Sequence, residues 1–134
     1  MKLALLLLLL TLCGVSAAED KWFVGTFFGR EEMTERDLDR VVEVTVAKPK
    51  DGGELAITGG FWYTEGKLPA PDFEGTLTSS DKSKAHFTFR DTFANEGTVT
   101  LIADGKGARL RIKVTRVKNS RCLLLYEEIW LKRY

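Results

Sequence analysis

The sequence predicts an all-β fold: a small antiparallel meander of about eight strands, closing as a barrel or folding as a two-sheet sandwich, with at most one short helical turn. Three observations predict it. Between Lys84 and Val117, three runs alternate apolar with polar residues, and clusters rich in Gly, Asn and Asp separate them. Strand-like runs recur at intervals of roughly 10–14 residues, the spacing of sandwiches and small barrels. Pro49, Pro69 and Pro71 all fall between the runs, as expected of a residue that cannot donate to a ladder.

The elements follow in order. Trp22 to Phe28, aromatic and β-branched, reads as the first strand. Arg30 to Arg40 is the most charged segment; Thr34 followed by Asp37 is a weak capping-box pattern, which predicts a single helical turn or a mobile loop. Val42, Val44 and Val46 alternate with Glu43 and Thr45 in a second strand that ends at Pro49, and Asp51-Gly52-Gly53 signals a tight turn. Leu55, Ile57, Gly59, Phe61 and Tyr63 define the inner face of a third strand, leaving Trp62 outward. Glu65 to Asp72 is a loop, and Phe73 to Thr78 a short fourth strand.

After the polar turn Ser79–Ser83, the meander supplies three more strands. One face carries Ala85, Phe87, Phe89, Val99, Leu101, Leu110, Ile112 and Val114. The other carries His86, Thr88, Arg90, Thr98, Thr100, Arg109, Arg111 and Lys113. In the last candidate strand, Cys122 to Leu131, three consecutive leucines and Glu127-Glu128 break the alternation. A run apolar on both faces predicts a strand covered on both sides or interrupted by a bulge. Barrel closure would remove exposed edges, and it requires the first strand to pair with the last.

Domain organisation is simple. Met1-Lys2 precedes the apolar run Leu3–Leu12, and Val15-Ser16-Ala17-Ala18 is a small-residue cleavage pattern. Residues 1–17 therefore read as a signal peptide cleaved after Ala17 or Ala18, with a single domain over 18–134 that is secreted or periplasmic. The apolar run is shorter than the roughly 20 residues a membrane-spanning helix needs, and no transmembrane segment is expected. Leu10-Thr11-Leu12-Cys13 offers an alternative, a lipoprotein anchored through Cys13.

Removal of the leader leaves 19 basic against 19 acidic residues, without a long run of either sign. This balance argues against nucleic acid as a partner, because clustered basic charge dominates that affinity. Beyond the leader Cys122 is the one cysteine, so no intramolecular disulfide is available. Its setting, Arg-Cys-Leu-Leu-Leu-Tyr, predicts a buried thiol.

Catalytic and metal-binding signals are weak. His86 is the single histidine and sits on the polar face; a nucleophilic pair with Cys122 would need both groups on one face. One His and one Cys cannot build a zinc site, and Asp37-x-Asp39 lacks the rest of a calcium loop. Neither metal nor cofactor is expected. Three features remain as binding candidates. Trp62 and Tyr63 close an aromatic run before a proline loop, where an exposed ring could stack on a sugar or anchor a partner. Arg109, Arg111 and Lys113 form a basic row suited to an anionic glycan or an acidic edge. Glu128 stands beside Glu127, and alternation would turn one carboxylate of the pair toward the core, where it needs a ligand or a cross-strand Arg or Lys, unless a bulge turns both outward.

In pattern, the chain resembles small exported meander barrels and sandwiches: lipocalin-like proteins, avidin-like proteins and periplasmic lysozyme inhibitors. Gly60-Phe61-Trp62-Tyr63 is similar to the lipocalin Gly-x-Trp-Tyr signature, although that motif lies in the first strand of the family and in the third here. The resemblance implies architecture, and no ligand or residue role is carried over. The functional expectation is an exported, non-enzymatic binding module that contacts a protein partner, small ligand or glycan through loops at one end of the barrel. A carboxylate-based enzyme using Glu127 and Glu128, and a structural component of the cell envelope, are the alternatives.

Overall fold

A computed structural model of the chain describes residues 21–33, 38–65 and 69–134. The expected leader, with Cys13 and the cleavage point, lies outside the described residues, as do Thr34–Asp37 and residues 66–68. Eight strands run in chain order: β1 (Gly25–Met33), β2 (Leu38–Ala47), β3 (Ala56–Tyr63), β4 (Asp72–Ser80), β5 (Lys84–Asp91), β6 (Glu96–Asp104), β7 (Gly107–Arg116) and β8 (Ile129–Arg133). Each pairs antiparallel with the next, and β8 pairs with β1, so the sheet closes as a barrel rather than a sandwich.

The alternation read from the sequence sets the barrel wall. Phe27, Val42, Val44, Val46, Ile57, Phe61, Phe73, Ala85, Phe87, Phe89, Val99, Leu101 and Leu110 point inward and are buried together. Gly75 and Gly97 mark sharp bends. A Cβ at Gly75 would lie 1.7 Å from the Thr88 carbonyl oxygen, and one at Gly97 1.9 Å from that of Lys113. Only glycine lets neighbouring backbones approach so closely where the sheet curls.

Three expectations need correction. The first strand begins at Gly25, because Trp22-Phe23 forms a turn that packs into the barrel mouth. There the Phe23 ring stands edge-on to Phe87, 6.2 Å between centroids, and Trp22 Nε1 donates to the Asp81 carbonyl. The described parts of Arg30–Arg40 are strand, not helix: Arg30–Met33 belongs to β1 and Leu38–Arg40 to β2, with Met33 opposite Leu38. Finally, Cys122–Leu131 is not one strand. Ser120–Tyr126 is a 3-10 helix whose N-cap, Asn119, accepts from the Arg121 N–H, and only Ile129–Arg133 is extended into the sheet. The leucine run satisfies two surroundings because the helix lays Cys122, Leu125 and Tyr126 across the barrel end while Leu123 and Leu124 face outward.

This helix acts as a lid over the end opposite Trp22-Phe23. Tyr126 meets Phe61 and Phe89 edge-on, each at 5.2 Å, and Phe73 lies 5.5 Å from Phe89. Such pairs add to the burial of the rings themselves. Aromatic side chains fill the interior at the position where a ligand-carrying barrel keeps its cavity.

Candidate functional site

A broad concavity lies on the outside of the wall, over β2 to β5. It is a groove of about 730 Å³, to which Glu43, Thr45, Thr58, Gly59, Gly60, Trp62, Asp72, Glu74, Arg90 and Thr92 contribute. Strand register explains why these residues meet. Trp62 stands opposite Val41. One row further along, Glu43, Gly60 and Asp72 lie side by side on three strands. In the row after that come Thr45, Thr58, Glu74 and Arg90. All point outward, by the period-two rule.

Gly60 makes the depression. It carries no side chain at a position flanked on both neighbouring strands by carboxylates, which adjacent-strand spacing places about 10 Å apart across it. The Asp72 carboxylate leans into the gap: a Cβ at Gly60 would lie 2.7 Å from Asp72 Oδ1. Trp62, 37% exposed, forms one wall of the gap. A shallower extension of about 360 Å³ shares Thr58, Glu74 and Arg90 and continues to Thr76 and Thr88. The whole track covers four rows, roughly 20 Å at strand rise.

Elsewhere on the wall, charges answer one another. Arg30 bonds Asp39, Arg109 bonds Asp104 at 2.7 Å, and Arg116 lies 3.7 Å from Glu96. In the groove, none of Glu43, Asp72, Glu74 and Arg90 has an ion-pair partner among the described residues. Among the described residues, the groove thus combines an exposed ring, a bare backbone floor and three carboxylates without an ion-pair partner against one arginine.

The residues expected from the sequence are not gathered at one place. Trp62 is in the groove. Tyr63, its neighbour, faces the interior at 6% exposure and does not reach the groove, because strand residues alternate in direction. Arg109, Arg111 and Lys113 do form an outward row on β7. Two of the three are engaged by Glu128, whose Oε2 accepts from Arg109 Nη1 at 3.3 Å and whose Oε1 lies 2.8 Å from Arg111 Nη2. These carboxylates raise the Arg109 pKa above its ordinary value, Asp104 most and Glu128 less. Glu128 therefore points outward beside β7 and holds two arginines, with no turn toward the core. Lys113 stands opposite Thr98, away from the groove.

Two buried polar centres lie under the lid, and the sequence reading did not single them out. Arg40, 1% exposed, faces inward between Leu38 and Val42. Its Nη1 donates to the carbonyls of Leu125 (2.8 Å) and Glu127 (2.5 Å), and its Nη2 to Glu31 Oε2 and the Glu128 carbonyl. Asp91, 5% exposed, accepts from the N–H groups of Phe93 and Asn95, from Asn95 Nδ2 and, at 2.6 Å, from the Tyr126 hydroxyl. Asn95 carries the connection onward, accepting from the N–H groups of Lys118 and Asn119 and donating to the Asn119 carbonyl. Parity held the signal for both, since each charged residue sits in phase with buried neighbours.

These contacts make the lid sensitive to alkali. Burial first, then the hydrogen bond to Asp91 and its charge, push the Tyr126 pKa well above the usual phenol value. Burial, and secondarily Asp91, push up the Cys122 thiol. A group whose folded pKa is raised contributes stability below its unfolded pKa and loses it as pH climbs past that value. The ordinary values are 9.0 for the thiol and 10.0 for the phenol. Denaturant midpoints should therefore hold level through neutral pH and fall above about pH 9. Tyr126→Phe should flatten the part above about pH 10; an unchanged alkaline limb in that variant would show that the phenol plays no part.

His86 Nδ1 lies 3.0 Å from Thr100 Oγ1 on the outer face of β5 and β6, and Cys122 is buried beneath the lid. The two are on opposite sides of the wall, so they do not form a nucleophilic pair. No group of three or more His, Cys, Asp or Glu suited to a metal ion occurs among the described residues. No helix among them is long and apolar enough to cross a membrane. Against known proteins, the chain matches no family model, no curated protein and no solved structure.

Proposed function

We propose that this chain is an exported, non-enzymatic binding module that takes its ligand in the groove over β2–β5. The expected contact through loops at a barrel end gives way to the wall in this reading. The observation that carries it is the gap at Gly60, open to solvent under Trp62 and flanked by Glu43 and Asp72. Concave sites that pair an apolar ring with a few convergent polar groups are the usual form of a small-ligand site. The packed interior supports the wall over the lumen: Phe61, Phe73, Phe87, Phe89 and Tyr126 occupy the space a lumenal ligand would need. Export rests on the leader sequence alone.

Blocking the gap tests this reading. Gly60→Val suits a strand, and the one close neighbour of its Cβ is the movable end of Asp72. It should fold with a melting temperature near wild type. A panel of cationic, neutral and anionic small molecules, read by thermal shift and calorimetry, should yield a ligand whose affinity falls by about tenfold or more in both Gly60→Val and Trp62→Ala. Ligand binding of wild-type strength in both variants would place the site elsewhere.

A further inference from the structure

We infer that the group recognised at this groove is a cation, an alkylammonium or guanidinium, seated over Gly60 between Glu43 and Asp72 with the Trp62 ring beside it. The inference rests on the wall groove being the binding site and adds the chemical class of its ligand.

Charge is the first argument. The gap has a carboxylate on each side, and Glu74 stands one row further along, with Arg90 opposite it on β5. Among the described residues, three negative groups against one positive make the groove acidic in a chain whose overall formal charge is +1. On the same barrel, Asp39, Asp104, Glu96 and Glu128 each have an arginine. The groove carboxylates have none among the described residues, and an incoming cation would supply the missing partner. An anionic ligand would meet two like charges at the gap.

Geometry is the second argument. A cation centred over Gly60 would stand about 5 Å from each flanking strand axis, within reach of both carboxylates. With no Cβ at Gly60, the movable Asp72 carboxylate reaches over the floor, its Oδ1 2.7 Å from where a Cβ would stand, and can turn onto a cation there. The aromatic wall suits the same charge, since a cation near an indole face is attracted by the ring's quadrupole. A neutral sugar would use the ring but would leave both carboxylates without a counter-charge.

Spacing gives the third. Glu74 lies one row beyond Asp72 on β4, about 7 Å along the strand. Two ammonium groups at that separation occur in linear polyamines and in lysines two positions apart on an extended peptide. Both sources present the same chemistry to the groove.

Calorimetry at low salt on the whole protein separates the possibilities. The probes are spermidine, a capped peptide of alternating lysine and alanine, and cellotriose as a neutral ring-stacking control. Wild type should bind at least one cationic probe saturably, and the tighter of the two identifies the source. Glu43→Gln with Asp72→Asn should weaken it by about tenfold or more, since hydrogen bonds to charged groups are the stronger kind. Added salt should weaken it further. Cellotriose binding that the double amide variant leaves unchanged but Gly60→Val abolishes would overturn the cation while leaving the groove in place. The absence of saturable binding by either cationic probe would also overturn the cation. Cation binding that survives both the double amide and Gly60→Val would overturn the cation site and the groove together.

Discussion

Arg40→Leu is expected to lower the unfolding free energy by about 3–5 kcal/mol, because three backbone acceptors lose their charged donor at about 1–3 kcal/mol each. The guanidinium is buried and donates to three carbonyls at the end of the lid helix, those of Leu125, Glu127 and Glu128. Leucine matches the apolar stem but leaves those oxygens without their donor, and an unmet buried acceptor keeps its full desolvation penalty. Chemical denaturation checks the magnitude. A thiol reagent locates it: if the lid opens ahead of the barrel, Cys122 should react roughly a hundredfold faster, the factor that about 3 kcal/mol implies. Glu31→Gln is the control. Glu31 also pairs with Arg40, but its side chain is 46% exposed, and such a pair contributes at most about 1 kcal/mol. A loss in Glu31→Gln as large as in Arg40→Leu would mean that the ion pair, rather than the carbonyls, holds the lid.

Asp91→Ala is expected to cost about as much, roughly 3–4 kcal/mol, by a different route. The carboxylate has no cationic partner among the described residues; four donors stabilise it instead. Two of them shape the turn between β5 and β6, where Ala94 adopts φ 64°. That left-handed conformation costs a residue with a Cβ about 1–2 kcal/mol, so the turn depends on the acceptors that pin it. The other two reach Asn95 and the Tyr126 hydroxyl, and through Asn95 the start of the lid segment at Asn119. Asp91→Asn keeps the two turn contacts and should lose less than half as much. Equal losses in the alanine and asparagine variants would assign the effect to charge and not to the turn. Arg40 holds the exit of the lid and Asp91 its approach. The double variant should fall short of additivity if both act by releasing one segment.

The barrel wall was legible because burial repeats every second residue. Ala85, Phe87, Phe89, Val99, Leu101 and Leu110 all lie inside as their alternation requires. Ile112 and Val114, read as inner residues, are only half-buried, because β8 pairs with β7 no further than Leu110. The lid was not legible. Leu123-Leu124-Leu125 carries the same composition whether it forms a two-faced strand or a short helix across a barrel end, and only the Asn119 cap favours the helix. The groove was half legible. Outward parity gave Trp62, and the same parity places Glu43, Thr45, Thr58 and Gly60 on its face. Their convergence with Asp72, Glu74 and Arg90 depends on strand register, which alternation leaves open by any even number of residues. Glu128 shows the opposite case, a residue conspicuous in the sequence whose two oxygens are already held by Arg109 and Arg111.

The shortest strand decides when the barrel closes. β8 spans five residues and joins β7 on one side and β1 on the other, where Phe27 and Phe28 face Arg133 and Lys132. During refolding, the first seven strands can pair in order, but they form an open sheet with β1 and β7 as bare edges until residues 129–133 dock. Bare edges recruit other chains. A variant lacking residues 129–133 should therefore self-associate on refolding under conditions where the whole chain stays monomeric, and light scattering checks this.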